Sequence, residues 1–542
     1  MKTLTIFFLL FSSLFSYAEE LDLNFKALLE KIPAEEASVL AVHDRGRYKP
    51  LETYAREKML FISGKYSPMG QDAVKMFFAL IVAPELTGQT LPLINIRSVK
   101  VRKMLGFSSE QRFVSLKALK DTRLEAMASP LIAREKENAR LLSADEKDVL
   151  ELFGQYWTLE SVLSARGFFE VINVNGNGSP EAQSEETVMG TKFLRALNGD
   201  DQQLARNELK NLQEKLKLNM MKTEGASSYS KISLEIFYNK LRPFFISALL
   251  FFAIFLATFS AKGKAFLLNS KWNWPVYLPI LFLFLGFFIR VYITGFAPVT
   301  NMYGTMIWVS FGISVFSIIF YAIYKNFEVL KLSFLGAGIF LLLTESIPLT
   351  LSPDMDPIVA VLRSNMWLTI HVLTIVISYS AFTMAMLLGN YVIIQDFLKK
   401  STSDFNPNVI SHYIYRLIQL GVFLLTVGII LGGIWADYSW GRFWGWDPKE
   451  TCALIADMGY LILLHGRFVG WVTPYRLAFL SPIAYFLVVF AWYGVNFILA
   501  TGLHSYGFSS GGVTVVITYV LIQLLILGVV SYKNISFKKM AA

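Results

Sequence analysis

From residue 243 onward the chain alternates long apolar runs with short polar gaps. The runs lie near 243–261, 275–294, 304–324, 331–349, 367–392, 414–435, 452–470, 475–499 and 512–531. Each holds close to the ~20 residues that carry a helix across ~30 Å of hydrocarbon. The pattern predicts an all-α polytopic membrane bundle of about nine transmembrane helices over 241–542. Residues 19–240 read differently. Val39–Val42 is a short apolar run followed by a turn, Asp44-Arg45-Gly46-Arg47. Gln202–Met221 has helical spacing with mixed charges, so one face should be solvated. A Gly/Ser/Asn/Glu-rich loop starts near Asn173 and takes in Pro180–Thr187. These mixed patterns predict a soluble α+β region. Residues 1–18 carry Lys2, an apolar stretch and Ser16-Tyr17-Ala18, as a signal peptide or an uncleaved anchor does.

Charge gives the bundle a direction. With residue 240 outside, the loops after the first, third, fifth, seventh and ninth runs lie inside. They hold Lys262, Lys264 and Lys271; Lys325; Lys399 and Lys400; Arg467; and Lys533, Lys538 and Lys539. The opposite loops hold Asp354, Asp356, Asp437 and Asp447. Positive-inside bias and the N-terminal segment therefore agree on a multi-pass protein of the bacterial inner membrane with a periplasmic N-terminal region. Of the 542 residues, 54% are hydrophobic and 17% charged, and mean hydropathy is +0.47. The formal charge of +9 does not point to nucleic acid, because the basic residues sit between apolar runs. Cys452 is the only cysteine, which excludes an internal disulfide and a Cys-x-x-Cys-His haem attachment within the chain. It should pack as a small apolar residue at a helix start.

One polar gap carries candidate chemistry. Trp440-Gly441-Arg442-Phe443-Trp444-Gly445-Trp446-Asp447-Pro448-Lys449-Glu450 lies between the sixth and seventh runs, with Trp435 and Tyr438 just upstream. Indole rings make flat apolar walls and keep an N–H handle. At a membrane edge, such a wall suits a flat, greasy, edge-charged ligand such as haem. The histidines fit that idea. His371 and His504 sit at the same side of the predicted bundle, one before and one after the tryptophan gap. Two neutral imidazoles from different helices could ligate one haem iron from both faces. His465 lies deep in the seventh run, where an ionisable group is costly and is usually functional. Arg290 and Arg363 flank outer helix ends. Each could snorkel to headgroups or hold a haem propionate in a forked geometry. His412 reads as interfacial, His43 as a surface residue.

These motifs together resemble one family. Trp440–Glu450, Met366–Val372 around His371, Leu464–Arg467 around His465, and Gly502–Gly507 around His504 look like CcsA, also called ResC. CcsA is the membrane subunit of the system II cytochrome c synthase, within the haem-handling WWD superfamily. The similarity is strong over about 366–512 and looser over 243–349, helped by Ala297–Tyr303. The resemblance implies that haem b is ligand and substrate, moved from a membrane site to an external site. It implies that His465 serves the membrane site and that His371 and His504 are the external axial ligands. Trp440, Gly441, Trp444, Gly445, Trp446 and Asp447 would contact the porphyrin. It also implies two partners. One is an apocytochrome c whose Cys-x-x-Cys-His forms two thioether bonds. The other is a CcsB (ResB) subunit, whose four-span unit is not seen here and which would supply the second membrane-site histidine. Cys452 departs from the family pattern, standing where an aromatic follows Lys-Glu-Thr. A haem exporter or chaperone without lyase activity is the alternative reading.

Overall fold

The structure, a computed structural model, describes residues 23–540 except 139–141, 174–183, 200, 269–273, 298, 358–364, 399–405 and 500–511. The expectation of a signal segment at 1–18 therefore lies outside the described residues. The chain divides into two compact units, Met1–Lys240 and Leu241–Ala542.

The first unit is mainly helical, with two small two-stranded sheets. Its core is built on Phe77, Phe78, Phe168 and Phe193, fully buried, with Phe78 edge-to-face against the other three at 5.3–5.6 Å. The predicted turn closes a hairpin of β1, Ala41–Asp44, and β2, Arg47–Pro50. Arg45 and Gly46 both take positive φ, 49° and 79°, as a two-residue hairpin turn matched to strand twist requires. Beside the hairpin, the fully buried Lys49 ammonium lies between Asp44 at 2.9 Å and Glu57 at 2.8 Å. Arg47 forks onto Glu235 at 2.8 and 2.9 Å. Gln202–Glu224 is a helix, as its spacing predicts. Within the loop expected over 180–187, Glu185–Thr187 instead begin a helix. The Ser184 hydroxyl caps it by accepting from the Thr187 N–H.

The second unit contains helices at Pro243–Ala257 (α1), Leu278–Thr294 (α2), Met302–Tyr324 (α3), Phe327–Ser346 (α4), Asn365–Leu398 (α5), Pro407–Trp440 (α6), Pro448–Phe468 (α7), Pro474–Val489 (α8) and Val513–Met540 (α9). Among the described residues, seven segments are long and apolar enough to cross a membrane. This is a multi-pass membrane protein. Two of the runs expected to cross fall outside those seven. In α7 the cause is composition: Lys449, Glu450, Asp457, His465 and Arg467 dilute its apolar residues. Asp457 is buried and accepts a hydrogen bond from Thr426 of α6 at 2.8 Å. In the last run, the apolar part of the helix that is described is Val513–Val529.

The longest contact of the bundle is between α5 and α6. A Cβ at Gly428 would meet Ile375 at 2.5 Å, and one at Gly432 would meet the His371 ring at 2.4 Å. The small residues let the two helices approach closely. The order of the contacts, 375 to 428 and then 371 to 432, shows that the helices run antiparallel. This pairing fixes where His371 sits.

A tryptophan-walled cavity beside His371

The segment between α6 and α7 is held by its own polar groups. Gly441 ends α6 at φ +68°, donating its N–H to Asp437 O. Asp447 starts α7. Its carboxylate accepts from the Lys449 N–H at 2.9 Å, and Glu450 completes a capping box. Glu450 does more than cap. One oxygen accepts from the Gly445 N–H at 2.8 Å and the Asp447 N–H at 3.2 Å, and the other accepts from Arg442 Nη1 at 3.0 Å. A Cβ on Gly445 would fall 1.9 Å from that guanidinium, so a side chain there would push Arg442 out of its place on Glu450. Arg442 also lies over Trp440, 5.5 Å from the ring centroid. One carboxylate thus gathers the whole tryptophan segment.

Against this segment lies a cavity of about 250 Å³. His371, Trp435, Trp444, Lys449, Trp492 and Asn496 are among its lining residues. His371 Nδ1 is 2.8 Å from the carbonyl oxygen of Gly428. A carbonyl only accepts, so Nδ1 carries the proton and the acceptor lone pair belongs to Nε2. The imidazole lies nearly parallel to Trp435, 10° between planes and 6.4 Å between centroids. Trp435 is buried and is backed edge-on by Trp440 at 4.6 Å. Trp492 and Asn496 sit one turn apart on a π-helical segment, Phe490–Leu499, that continues α8. Trp492 Nε1 donates to Thr305 Oγ1 at 3.0 Å, which anchors the indole. Lys449 brings an ammonium whose hydrogen bond to Ala491 O is long, 3.4 Å. The cavity can therefore receive a flat apolar body, present it with the His371 imidazole, and meet an anionic edge.

Of the residues singled out in the sequence, His371, Trp435 and Trp444 line this cavity. Trp440 supports Trp435 from behind. Trp446 is 70% exposed at φ +56° and stands edge-on to Trp444 at 5.8 Å. Asp447, Gly441 and Gly445 shape the backbone. Arg290 does not snorkel: it is buried, donates to the carbonyls of Pro353 (2.8 Å) and Asp354 (3.3 Å), and lies over Tyr303. It is not in the cavity wall. Its length is spent on closing a loop whose carbonyls need donors. His465 is exposed near the far end of α7, roughly 25 Å from Asp447 at 1.5 Å per residue. Its Nδ1 engages Leu461 O one turn back at 2.9 Å. Arg363 and His504 lie outside the described residues. Cys452 is buried against Ala491 and Val495, whereas its neighbour Ala453 lines the cavity. Lys449, Trp492 and Asn496 were not singled out in the sequence. Lys449 was visible inside the motif; the other two carried no signal beyond an Asn one turn after a Trp.

Comparison with known proteins gives one answer. The family described as Cytochrome C assembly protein matches residues 299–504, which takes in all of the cavity lining but Ala297. The cytochrome c biogenesis protein CcsA of Guillardia theta is 34% identical over 242 residues, covering 40% of this chain and 78% of that protein. CcsA of Cyanophora paradoxa is 28% identical over 313 residues, 47% of this chain and 95% of that protein. Protein NrfI of Wolinella succinogenes is 29% identical over 490 residues, 85% of this chain. That share is too large for the second unit alone, so the likeness to NrfI reaches into the first. The chain spans 53% of the length of NrfI.

Proposed function

Because the chain belongs to the CcsA family of cytochrome c biogenesis proteins, we propose that it is the haem-handling subunit of a cytochrome c synthase. In this reading it moves haem b to the periplasmic face of the bacterial inner membrane and presents it to apocytochrome c. The observation that carries the reading is His371. Its Nδ1 proton is committed to the Gly428 carbonyl, so the ring is oriented and its basic nitrogen is Nε2. A metal-ligating imidazole has a hydrogen bond of this kind, from its other ring nitrogen to a carbonyl or carboxylate. Trp435 lies parallel to the imidazole and would steady it, Trp444 would add an apolar wall, and Lys449 would supply a cation for a propionate. In this reading, following the family resemblance, His504 would be the second histidine to hold the iron, and His465 would serve an earlier membrane site completed by a CcsB-like partner.

Thioether formation adds a cysteine S–H across a vinyl C=C: sulfur bonds to one carbon, the proton goes to the other, and nothing leaves. The reaction needs no nucleophile from this chain. What the chain would contribute is orientation, from a fixed His371 imidazole that would hold the iron and Lys449 for the propionate edge, and exclusion of water by apolar walls.

The test is coexpression of the full chain with a CcsB-like partner and an apocytochrome in cells lacking other maturation genes. Haem on the cytochrome that survives denaturing electrophoresis supports the synthase. Haem bound to this chain without attachment would move the assignment to an exporter or chaperone. No haem absorbance in either protein ends both readings.

A further inference from the structure

A second cavity, about 270 Å³, lies within the bundle between α3, α4, α5, α8 and α9. It shares Met302, Tyr379 and Trp492 with the tryptophan-walled cavity, so the two are neighbours across a wall of three side chains. Its lining runs along α5 from Tyr379 to Asn390. That is about 16 Å of helix, so the cavity is long. Its chemistry differs from its neighbour's. No Lys, Arg, Asp, Glu or His lines it among the described residues. Three of its polar groups, Asn390, Tyr519 and Gln523, lie away from the shared wall. Asn390 and Gln523 both turn their amide nitrogens to the Met386 sulfur, at 3.2 and 3.8 Å. The Asn390 Oδ1, the Gln523 Oε1 and the Tyr519 hydroxyl are buried without a hydrogen-bond partner. Tyr519 lies one turn before Gln523 on α9, so the three belong to one corner. By contrast Tyr485 and Thr383, also in the wall, satisfy each other at 2.8 Å.

Three unmet polar groups inside a membrane bundle are costly. Two carboxamides and a phenol can accept or donate to a neutral hydroxyl or carbonyl. The absence of charge in the wall disfavours phosphate, carboxylate and haem propionate, each of which would be desolvated without a counterion. We propose that this cavity binds an uncharged, elongated apolar molecule with hydroxyl or carbonyl groups at one end, its polar end at Asn390, Gln523 and Tyr519 and its apolar body toward Tyr379 and Trp492. Membrane quinols and neutral glycerides share this chemistry. The proposal stands independently of the haem reading.

The experiment uses the full chain in detergent and two probes, decylubiquinol kept reduced and dioctanoylglycerol, measured by equilibrium dialysis with mass spectrometry. Saturable binding of either probe is expected, and whichever probe binds names the source. The double variant Asn390→Leu, Gln523→Leu should weaken that binding about tenfold, the equivalent of one or two neutral hydrogen bonds. These replacements remove unmet polar atoms, so they should not compromise folding. A separate variant, Val516→Phe, narrows the cavity from the α9 side and should abolish binding. The proposal is overturned if both probes partition without saturation, or if saturable binding is the same in wild type and in both variants.

Discussion

Arg442 Nη1 and Glu450 Oε1 meet 3.0 Å apart across the tryptophan segment, and the same carboxylate receives the N–H groups of Gly445 and Asp447. Three donors on one acidic group make the loop a single polar unit. Removing the carboxylate releases all three. Glu450→Ala should cost about 1–3 kcal/mol from charged hydrogen bonds and the lost capping box, while Arg442→Ala, which leaves both backbone bonds in place, should cost less. Thermal unfolding of the two single variants and the double variant checks this. Additive losses would show that Arg442 and Glu450 do not act together.

His371 and Gly432 should behave as one site although only one of them is an imidazole. Gly432→Ala places a methyl where the His371 ring now lies. It should therefore lower haem retention almost as far as His371→Ala does. Soret absorbance per mole of purified chain is the readout. Added imidazole should restore much of the signal to His371→Ala, whose cavity has room for it. Full retention in both variants would remove His371 from the proposed iron site.

Lys449 makes a claim about the ligand's edge. A charge-assisted hydrogen bond from its ammonium to a propionate is worth about 1.5–3 kcal/mol, a factor of ten or more in affinity. Lys449→Gln should weaken binding of haem by that factor and leave binding of the haem dimethyl ester nearly unchanged. An equal loss for acid and ester would mean that Lys449 acts on the cavity's shape rather than on the ligand's charge.

The first unit should respond to acid through the Asp44–Lys49–Glu57 cluster. Burial pushes the Asp44 carboxyl up, but Lys49, with Lys58 and Arg45, outweighs it and holds the group below its ordinary value. Burial pushes the Lys49 ammonium down, and Glu57 and Asp44 outweigh burial and Arg47 to leave it raised. A lowered carboxyl contributes stability that is present above its unfolded value and is lost as pH falls through its folded value. A raised ammonium keeps its contribution until pH climbs through its own folded value. The cluster is therefore fully effective at neutral pH and fails in acid. Asp44→Asn should destabilise the full chain by a few kcal/mol at pH 7, as breaking a buried pair does, and by much less near pH 3. Thermal unfolding at the two pH values measures the difference, and an equal loss at both would rule out the charge as the cause.

How much of this was legible in the sequence depended on how local each cause was. Apolar runs of about twenty residues announce helices by themselves, and all nine runs lie on helices. Their number as crossings is less secure, because α7 mixes apolar residues with Lys449, Glu450, Asp457 and Arg467. The hairpin turn was readable from Gly46, which takes positive φ freely, whereas the positive φ of Arg45 carried no sequence signal. The tryptophan cluster was readable from composition alone. What completes the cavity was not. His371 is oriented by a backbone carbonyl, a group that every residue owns. Its seat depends on Gly432, which is 61 positions away and gains meaning only from the antiparallel pairing of α5 and α6. Trp492 and Asn496 reach the cavity from a π-helical segment, and no periodicity in the chain marks that change. Arg290 was visible as a charge near a helix end, but its partners, two loop carbonyls, were not.

Cys452 gives one last consequence. A free thiol is chemically a competitor in any compartment where vinyl-bearing porphyrins await sulfur. Here the sulfur is packed between Ala491 and Val495, and the methyl of Ala453 fronts the cavity in its place. By this one-residue offset, a chain with the proposed haem-handling role would keep its own thiol from becoming the acceptor.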